Sequence, residues 1–261
     1  MHEILGVRLA TGGYRSLARH TLAWAKAGES RAVFFANVHV LMEGQNNPSF
    51  RQLVNRADLV NPDGMPLVWA LRAMGEKKAS RVYGPDATEV LLRQAGRAGV
   101  PVGFYGGSKA TLAQLLRTVR LRYPRLSIGF SMSPPYRALT EEEDEAVVQK
   151  ICSAGVRLLF VGLGCPKQEK WIIAHRHRIP AVMLGVGAAF DFLAGTKPQA
   201  PRWMMRFGLE WIFRLCSEPR RLAGRYLTNN PRFVAFFLQQ WIRSLPTRLM
   251  RAQRPKTEMN V

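Results

Sequence analysis

The run Val156 to Val161 (V-R-L-L-F-V) constrains the fold of this chain more than any other stretch, being apolar almost without interruption. Successive side chains of a strand point to opposite faces, so a strand without polar alternation is covered on both sides. That is the pattern of a central parallel strand between two helical layers. Gly162-Leu163-Gly164-Cys165-Pro166 ends the run, and Lys167-Gln168-Glu169-Lys170-Trp171 then opens a helix. Arg31 to Asn37, Val100 to Tyr105, Leu126 to Ser131 and Ala181 to Val186 also read as strands, and residues 2 to 10 as a further short one. Helical spacing marks Tyr14 to Ala27, His39 to Glu43, Pro48 to Arg56, Val68 to Met74 and Ala110 to Arg122. Another helix runs from the capping box at Thr140 to Ser153. Strand and helix alternate, which predicts an α/β sheet protein.

In such sheets ligands bind outside the carboxyl ends of the strands. Four polar residues stand at predicted strand ends: Asn37, Asp63, Gln168 and Asp191. Asp63 lies in A-D-L-V-N-P-D-G-M-P-L (Ala57 to Leu67), where a short apolar run delivers a carboxylate beside Gly64. A lone acid at a sheet rim is a candidate general base. Pro-Asp-Gly is also ordinary turn chemistry. Gln168 and Glu169 suit either sugar hydroxyls or the capping of their own helix. The turn Gly106-Gly107-Ser108 opens a helix whose free N–H groups suit a phosphate, though neither a GxGxxG nor a P-loop pattern accompanies it. The acids Glu141 to Glu145 read as a solvated helix start rather than a metal site.

The net charge of +20 calls for an anionic partner. It is concentrated: Lys197 to Lys256 holds 13 basic and 2 acidic residues. Pro198, Pro201, Pro219, Pro231 and Pro246 are expected to divide this region into short helices rich in arginine and in Trp203, Phe207, Trp211, Phe233 and Trp241. The chain therefore divides into a core over residues 1–195 and a basic helical appendage over 196–261, with a loose tail from about Ala252. Aromatics beside arginines suit an anionic membrane surface, and equally a basic subdomain packed on the core. A nucleic-acid partner would also use such charge, but no recognised motif supports one. Three cysteines without paired spacing indicate neither a disulfide framework nor zinc, and fit a reducing cytoplasm. The N-terminus has no signal-peptide pattern, and no apolar run approaches the roughly 20 residues of a spanning helix.

Several motifs, in order along nearly the whole chain, carry a resemblance. They are Ala36-Asn37, the D-L-V-x-P-D-G ending at Gly64, R-V-x-G-x-D from Arg81, and the Gly106 turn. V-G-L-G-x-P-x-Q-E from Val161, G-V-G-x-x-F-D from Gly185, A-P-R-W from Ala200 and E-W-x-x-R-L-x-x-E-P-x-R from Glu210 complete them. The sequence resembles the WecG/TagA/CpsF glycosyltransferases of bacterial surface-polysaccharide synthesis. The resemblance implies a Rossmann-like sheet flanked by helices, with the basic C-terminal appendage. It implies inverting transfer from a UDP-sugar, commonly UDP-N-acetylmannosamine, to a polyprenyl-diphosphate-linked saccharide, with no metal or other cofactor. It places the protein peripherally on the cytoplasmic face of the inner membrane and leaves a homo-oligomer open.

Asp63 matches the proposed base, and Asn37 and Gln168 match sugar-contacting positions. Arg81 matches a diphosphate contact, Asp191 a nucleotide contact, and Arg214, Arg221 and Arg225 the arginines near the diphosphates. Gly106, Gly107, Gly164 and Glu169 stand in motifs expected to meet substrate. Many members have Thr two residues before the Asn; here that residue is Phe35. The transferred sugar is accordingly N-acetylmannosamine or another hexose, and a catalytically silent sugar-nucleotide-binding protein is the alternative.

Overall fold

A computed structural model describes residues 2–252, with backbone alone from 246 onward. The tail expected from about Ala252 lies outside the described residues. A six-stranded parallel sheet forms the centre, in the order β4 (Leu59–Pro62), β3 (Arg31–Ala36), β8 (Val182–Gly185), β7 (Leu158–Gly162), β5 (Val102–Gly106), β6 (Ile128–Met132). The apolar run at 156–161 thus becomes the interior strand β7, between β8 and β5.

Alternation along the strands builds the two faces. Ala32, Phe34 and Ala36 of β3 point into one core, while Val33 and Phe35 point into the other. The first core is closed by α2 (Val38–Asn46), α3 (Pro48–Val54), α4 (Met65–Ala73), α7 (Glu141–Ser153) and α8 (Lys167–His175). The second is closed by α1 (Tyr14–Lys26), α5 (Gly84–Ala98), α6 (Lys109–Arg122) and α9 (Ala189–Ala194). This is the Rossmann-like arrangement of helices on both faces of a parallel sheet.

Residues 2 to 10 form a hairpin rather than one strand: β1 (His2–Ile4) and β2 (Val7–Leu9) are antiparallel. Leu5 and Gly6 both take positive φ between them, which makes the reversal. Ala10 then donates to the Val60 carbonyl (2.8 Å), shielding one position of the edge strand β4. Helix α5 escaped the sequence reading. It begins on Gly84-Pro85, which resembles a turn, yet Pro near the first helical position is preorganised for a helix start.

The C-terminal region also differs from expectation. Short helices α10 (Arg202–Arg206) and α11 (Glu210–Ser217) lead into a single helix, α12 (Pro219–Ala252), of 34 residues. Pro231 and Pro246 lie inside it and do not end it. Proline in a helix interior forfeits one backbone hydrogen bond and crowds the preceding turn, a local cost of about 3 kcal/mol. Packing offsets that cost. Phe233, 4% exposed, inserts into the core beside the β1–β2 hairpin and α2. Gln240 accepts from Leu5 N (2.9 Å) and donates to the Glu3 carbonyl (2.9 Å), while Trp241 Nε1 donates to the Ala73 carbonyl (3.3 Å). No described helix is long and apolar enough to cross a membrane.

Candidate active site

The loops leaving β4, β3, β8 and β7, four neighbours in the sheet, open onto one cleft. Asn37 ends β3 and caps α2, its Oδ1 accepting from His39 N (3.0 Å) and Val40 N (3.3 Å). Its Nδ2 makes no hydrogen bond among the described residues. Asp63 follows β4, and its N–H continues the ladder to the Ala36 carbonyl (2.8 Å). That bond fixes the backbone, and the carboxylate is left 16% exposed at the cleft floor. Burial pushes this carboxyl up to about 6 from its ordinary 3.8, Arg81 opposing the shift and Glu210 adding to it.

Arg81 joins the core to the C-terminal helices. Its Nε donates to the Asp63 carbonyl, Nη2 stands 3.5 Å from Asp63 Oδ1, and the same nitrogen bonds Glu210 at the start of α11. Its guanidinium stacks 4.2 Å over the Tyr83 ring. Glu210, 8% exposed, also faces Arg214 one turn later (4.0 Å). One carboxylate therefore holds two guanidiniums beside Asp63. From α12, Arg221 and Arg225 reach the same cleft. Arg221 is paired with Glu218. Arg225 forms no ion pair among the described residues, and its Nε is buried without a hydrogen-bond partner. Burial pushes its guanidinium down from the usual arginine range. Burial and then the Arg225 charge push His39 down to about 4, so its imidazole is neutral at neutral pH.

A family model described as "Glycosyl transferase WecG/TagA/CpsF family" matches residues 2–246, spanning the sheet, the cleft and most of α12. The chain belongs to this family. It is also 32% identical over 205 residues to an N-acetylglucosaminyldiphosphoundecaprenol N-acetyl-beta-D-mannosaminyltransferase of Bacillus spizizenii (strain ATCC 23059 / NRRL B-14472 / W23). That alignment covers 78% of this chain and 77% of the relative.

Within this WecG/TagA/CpsF chain, the residues singled out from sequence are distributed over more than one hollow. Asn37, Asp63, Gly164, Gln168, Glu169, Arg214, Arg221 and Arg225 line the cleft just described. Arg81 lines its continuation toward α4 and α11, where Asn37, Asp63, Arg214 and Arg225 recur. Asp191 does not meet them. It faces a neighbouring hollow with Gly107, Ser108, Leu163 and Lys167, and Lys197 lies 3.5 Å from its carboxylate. The Gly162–Lys167 loop contributes to both hollows.

Gln168 is committed to the scaffold: its Oε1 accepts from Gly164 N (3.2 Å) and Gly187 N (3.0 Å), tying the β7 and β8 loops together. Its Nε2 donates to Glu169, whose other oxygen is buried without a partner and whose carboxyl burial pushes up. The N–H of Gly107 is spent on the Gly162 carbonyl (3.1 Å). Gly106 has φ near +123°, and a Cβ there would meet the Gly162 backbone at 2.6 Å. This pair of strand ends packs too closely for any side chain.

Glu210 and His39 were not singled out from sequence. Glu210 reads locally as an acid in the first turn of a helix, and only the tertiary contact with Arg81 reveals its position. His39 reads as one polar residue on α2, and its place between Asn37 and Arg225 likewise depends on α12. Phe35, 6% exposed, lines the cleft from the sheet. A Cβ on Gly84 would sit 3.8 Å from its ring and 3.6 Å from Asp63 Oδ2. Among the described residues no group of three or more His, Cys, Asp and Glu is arranged to hold a metal.

Proposed function

We propose that this chain transfers a sugar, with inversion, from a UDP-sugar to a polyprenyl-diphosphate-linked saccharide in cell-surface polysaccharide synthesis. The observation that carries the reading is the half-buried Arg225, which forms no ion pair among the described residues, set with Arg214 and Arg221 across one cleft from the raised carboxyl of Asp63. A guanidinium without a carboxylate partner in a cleft suits phosphate oxygens, which it can grip in pairs of hydrogen bonds. A half-buried carboxylate with a pKa near 6 is ionised at neutral pH and basic enough to accept a hydroxyl proton.

The chemistry is a single displacement. The acceptor hydroxyl oxygen bonds to the anomeric carbon as the bond from that carbon to the phosphate oxygen breaks. Asp63 takes the hydroxyl proton and later releases it to water. UDP departs with the bonding electron pair, its new charge met by Arg214, Arg221 and Arg225. Glu210 holds Arg81 and Arg214 in place, and neutral His39 contributes a hydrogen bond without adding positive charge. The hollow with Asp191, Gly107 and Ser108 suits the nucleoside, since the loop between the two hollows puts it within reach of the same donor.

The Bacillus relative's name supplies the donor and acceptor to try first: N-acetylmannosamine passed to N-acetylglucosaminyl-diphospho-undecaprenol. Phe35 places an apolar ring in the cleft beside Asp63, so another hexose belongs in the panel. We place the protein peripherally on the cytoplasmic membrane face, where such an acceptor is anchored.

The test is UDP release across a panel of UDP-sugars, with and without short-chain polyprenyl-diphosphate-linked saccharides, for wild type and Asp63→Asn. Acceptor-dependent release that the variant loses by about 10²–10⁴-fold, with donor affinity kept, is the expected result. Near-wild-type turnover in Asp63→Asn would remove the base. Donor binding without release for any pair would favour a silent sugar-nucleotide-binding protein.

A further inference from the structure

The cleft does not stop at the arginines. Beyond Asp63 it continues between α4 and the α10–α11 connection, where Val38, Met65, Pro66, Gly208, Trp211 and Tyr226 make an apolar wall. Trp69 lies one turn along α4 from Met65, about 6 Å at 1.5 Å rise per residue, and therefore on the same helix face. Its ring packs against Gly208, where a Cβ would come within 2.7 Å of it. Trp69 is nevertheless 49% exposed, and Phe207, next to Gly208, is 66% exposed. The glycine, with φ of +72°, lets the α10–α11 connection close on the indole without covering it.

Large aromatics left uncovered at the end of a polar cleft mark a place where an apolar group is bound. We infer that the groove between α4 and the α10–α11 connection, with Trp69 and Phe207 at its mouth, is the track for the first isoprene units of the lipid-linked acceptor. The inference rests on the proposed function for the identity of that lipid.

Such an acceptor presents its groups in a fixed order: hydroxyl, diphosphate, lipid. Its attacking hydroxyl belongs at Asp63. A pyranose and a diphosphate separate that hydroxyl from the lipid, and Asn229 and Asn230 line this continuation together with the apolar wall. The isoprenoid begins only after the diphosphate, and the apolar wall of this continuation suits it. Isoprene units gain by leaving water for this wall, a non-directional contribution that grows with the apolar area covered. Trp69 and Phe207 thus set how strongly a longer chain is preferred over a shorter one, without touching the reacting atoms.

The test measures binding by calorimetry, independently of turnover, using inorganic diphosphate, geranyl diphosphate and geranylgeranyl diphosphate as probes. Wild type is expected to bind more tightly as the chain lengthens. Trp69→Ser and Phe207→Ser should flatten that trend by about tenfold at the longest probe, since an aromatic side chain is a large part of an apolar wall. Affinity for inorganic diphosphate should stay unchanged. Both side chains are exposed, so the variants are expected to fold, and Leu121→Ser on the exposed face of α6 controls for a general loss of surface apolarity. No chain-length trend in wild type, a trend undiminished in both variants, or equal flattening in Leu121→Ser would each overturn the track. A wild type that transfers sugar yet shows no trend defeats the track alone, whereas a trend without sugar transfer to any acceptor defeats the proposed function alone.

Discussion

As the proposed base, Asp63 would have to be basic and buried at once, and the two demands act oppositely on the fold. Its carboxyl is raised to about 6 from 3.8 chiefly by burial. Below about pH 4 the group is protonated in folded and unfolded chains alike and contributes nothing to the balance. Between about 4 and 6 the unfolded chain releases its proton first, so stability falls as pH rises; above about 6 the full penalty is present, at most about 3 kcal/mol. Asp63→Asn should therefore raise the melting temperature near pH 8 and leave it unchanged near pH 4, while cutting turnover by about 10²–10⁴-fold. A melting temperature that falls in the variant at pH 8 would show that the Arg81 contact outweighs burial. The same raised value sets the acid limb of activity: kcat/KM should drop about tenfold per pH unit below about 6, because only the ionised carboxylate accepts a proton. Asp63 was legible in the sequence because a strand end followed by glycine is a local pattern. The pull of Glu210 on it was not, since the two lie 147 positions apart in the chain.

At the scale of elements, α11 reaches the residues at the strand ends through Glu210. Glu210 is 8% exposed and bonds Arg81 while facing Arg214, so removing it leaves two guanidiniums in a confined space without their shared counter-charge. Glu210→Ala is expected to destabilise the fold by about 3–5 kcal/mol, the range for breaking one side of a buried pair, read from denaturant midpoints. Glu210→Gln keeps the shape and removes the charge. Since that charge helps raise the Asp63 carboxyl, the Gln variant should shift the acid limb of kcat/KM to lower pH; an unmoved limb would separate α11 from the base. Which elements could be read in advance follows from the range of the forces that make them. Strands β3, β5, β7 and β8 were apparent because burial on both faces writes a continuous apolar run. Helix α5 was hidden by Gly84-Pro85, and the continuity of α12 through Pro231 by packing that lies in other parts of the chain, at Leu5, Ala73 and the core around Phe233.

For the molecule as a whole, α12 has two faces with different tasks. The inner face holds Phe233 in the core and carries Arg225 to the cleft. On the outer face Leu227, Val234, Leu238 and Ile242 are 69%, 53%, 49% and 58% exposed, with exposed Pro231 between them. They fall in one stripe because their spacings of seven, four and four follow the helical period. Pro219 to Ala252 contains seven arginines and no acidic residue, so this helix carries only positive charge alongside its apolar stripe. An anionic lipid surface fits both properties, with the stripe sinking below the headgroups and each nearby arginine adding about 1 kcal/mol. Replacing the four stripe residues with serine should abolish sedimentation with anionic liposomes while leaving the melting temperature unchanged, since none is buried in the fold. Wild-type binding should weaken as salt rises, because the arginine contribution is screened over about 10 Å at 0.1 M ionic strength. Sedimentation that survives both the four substitutions and high salt would move the membrane contact off α12. Loss of sedimentation with salt alone, and none with the serine variant, would assign it to charge without insertion.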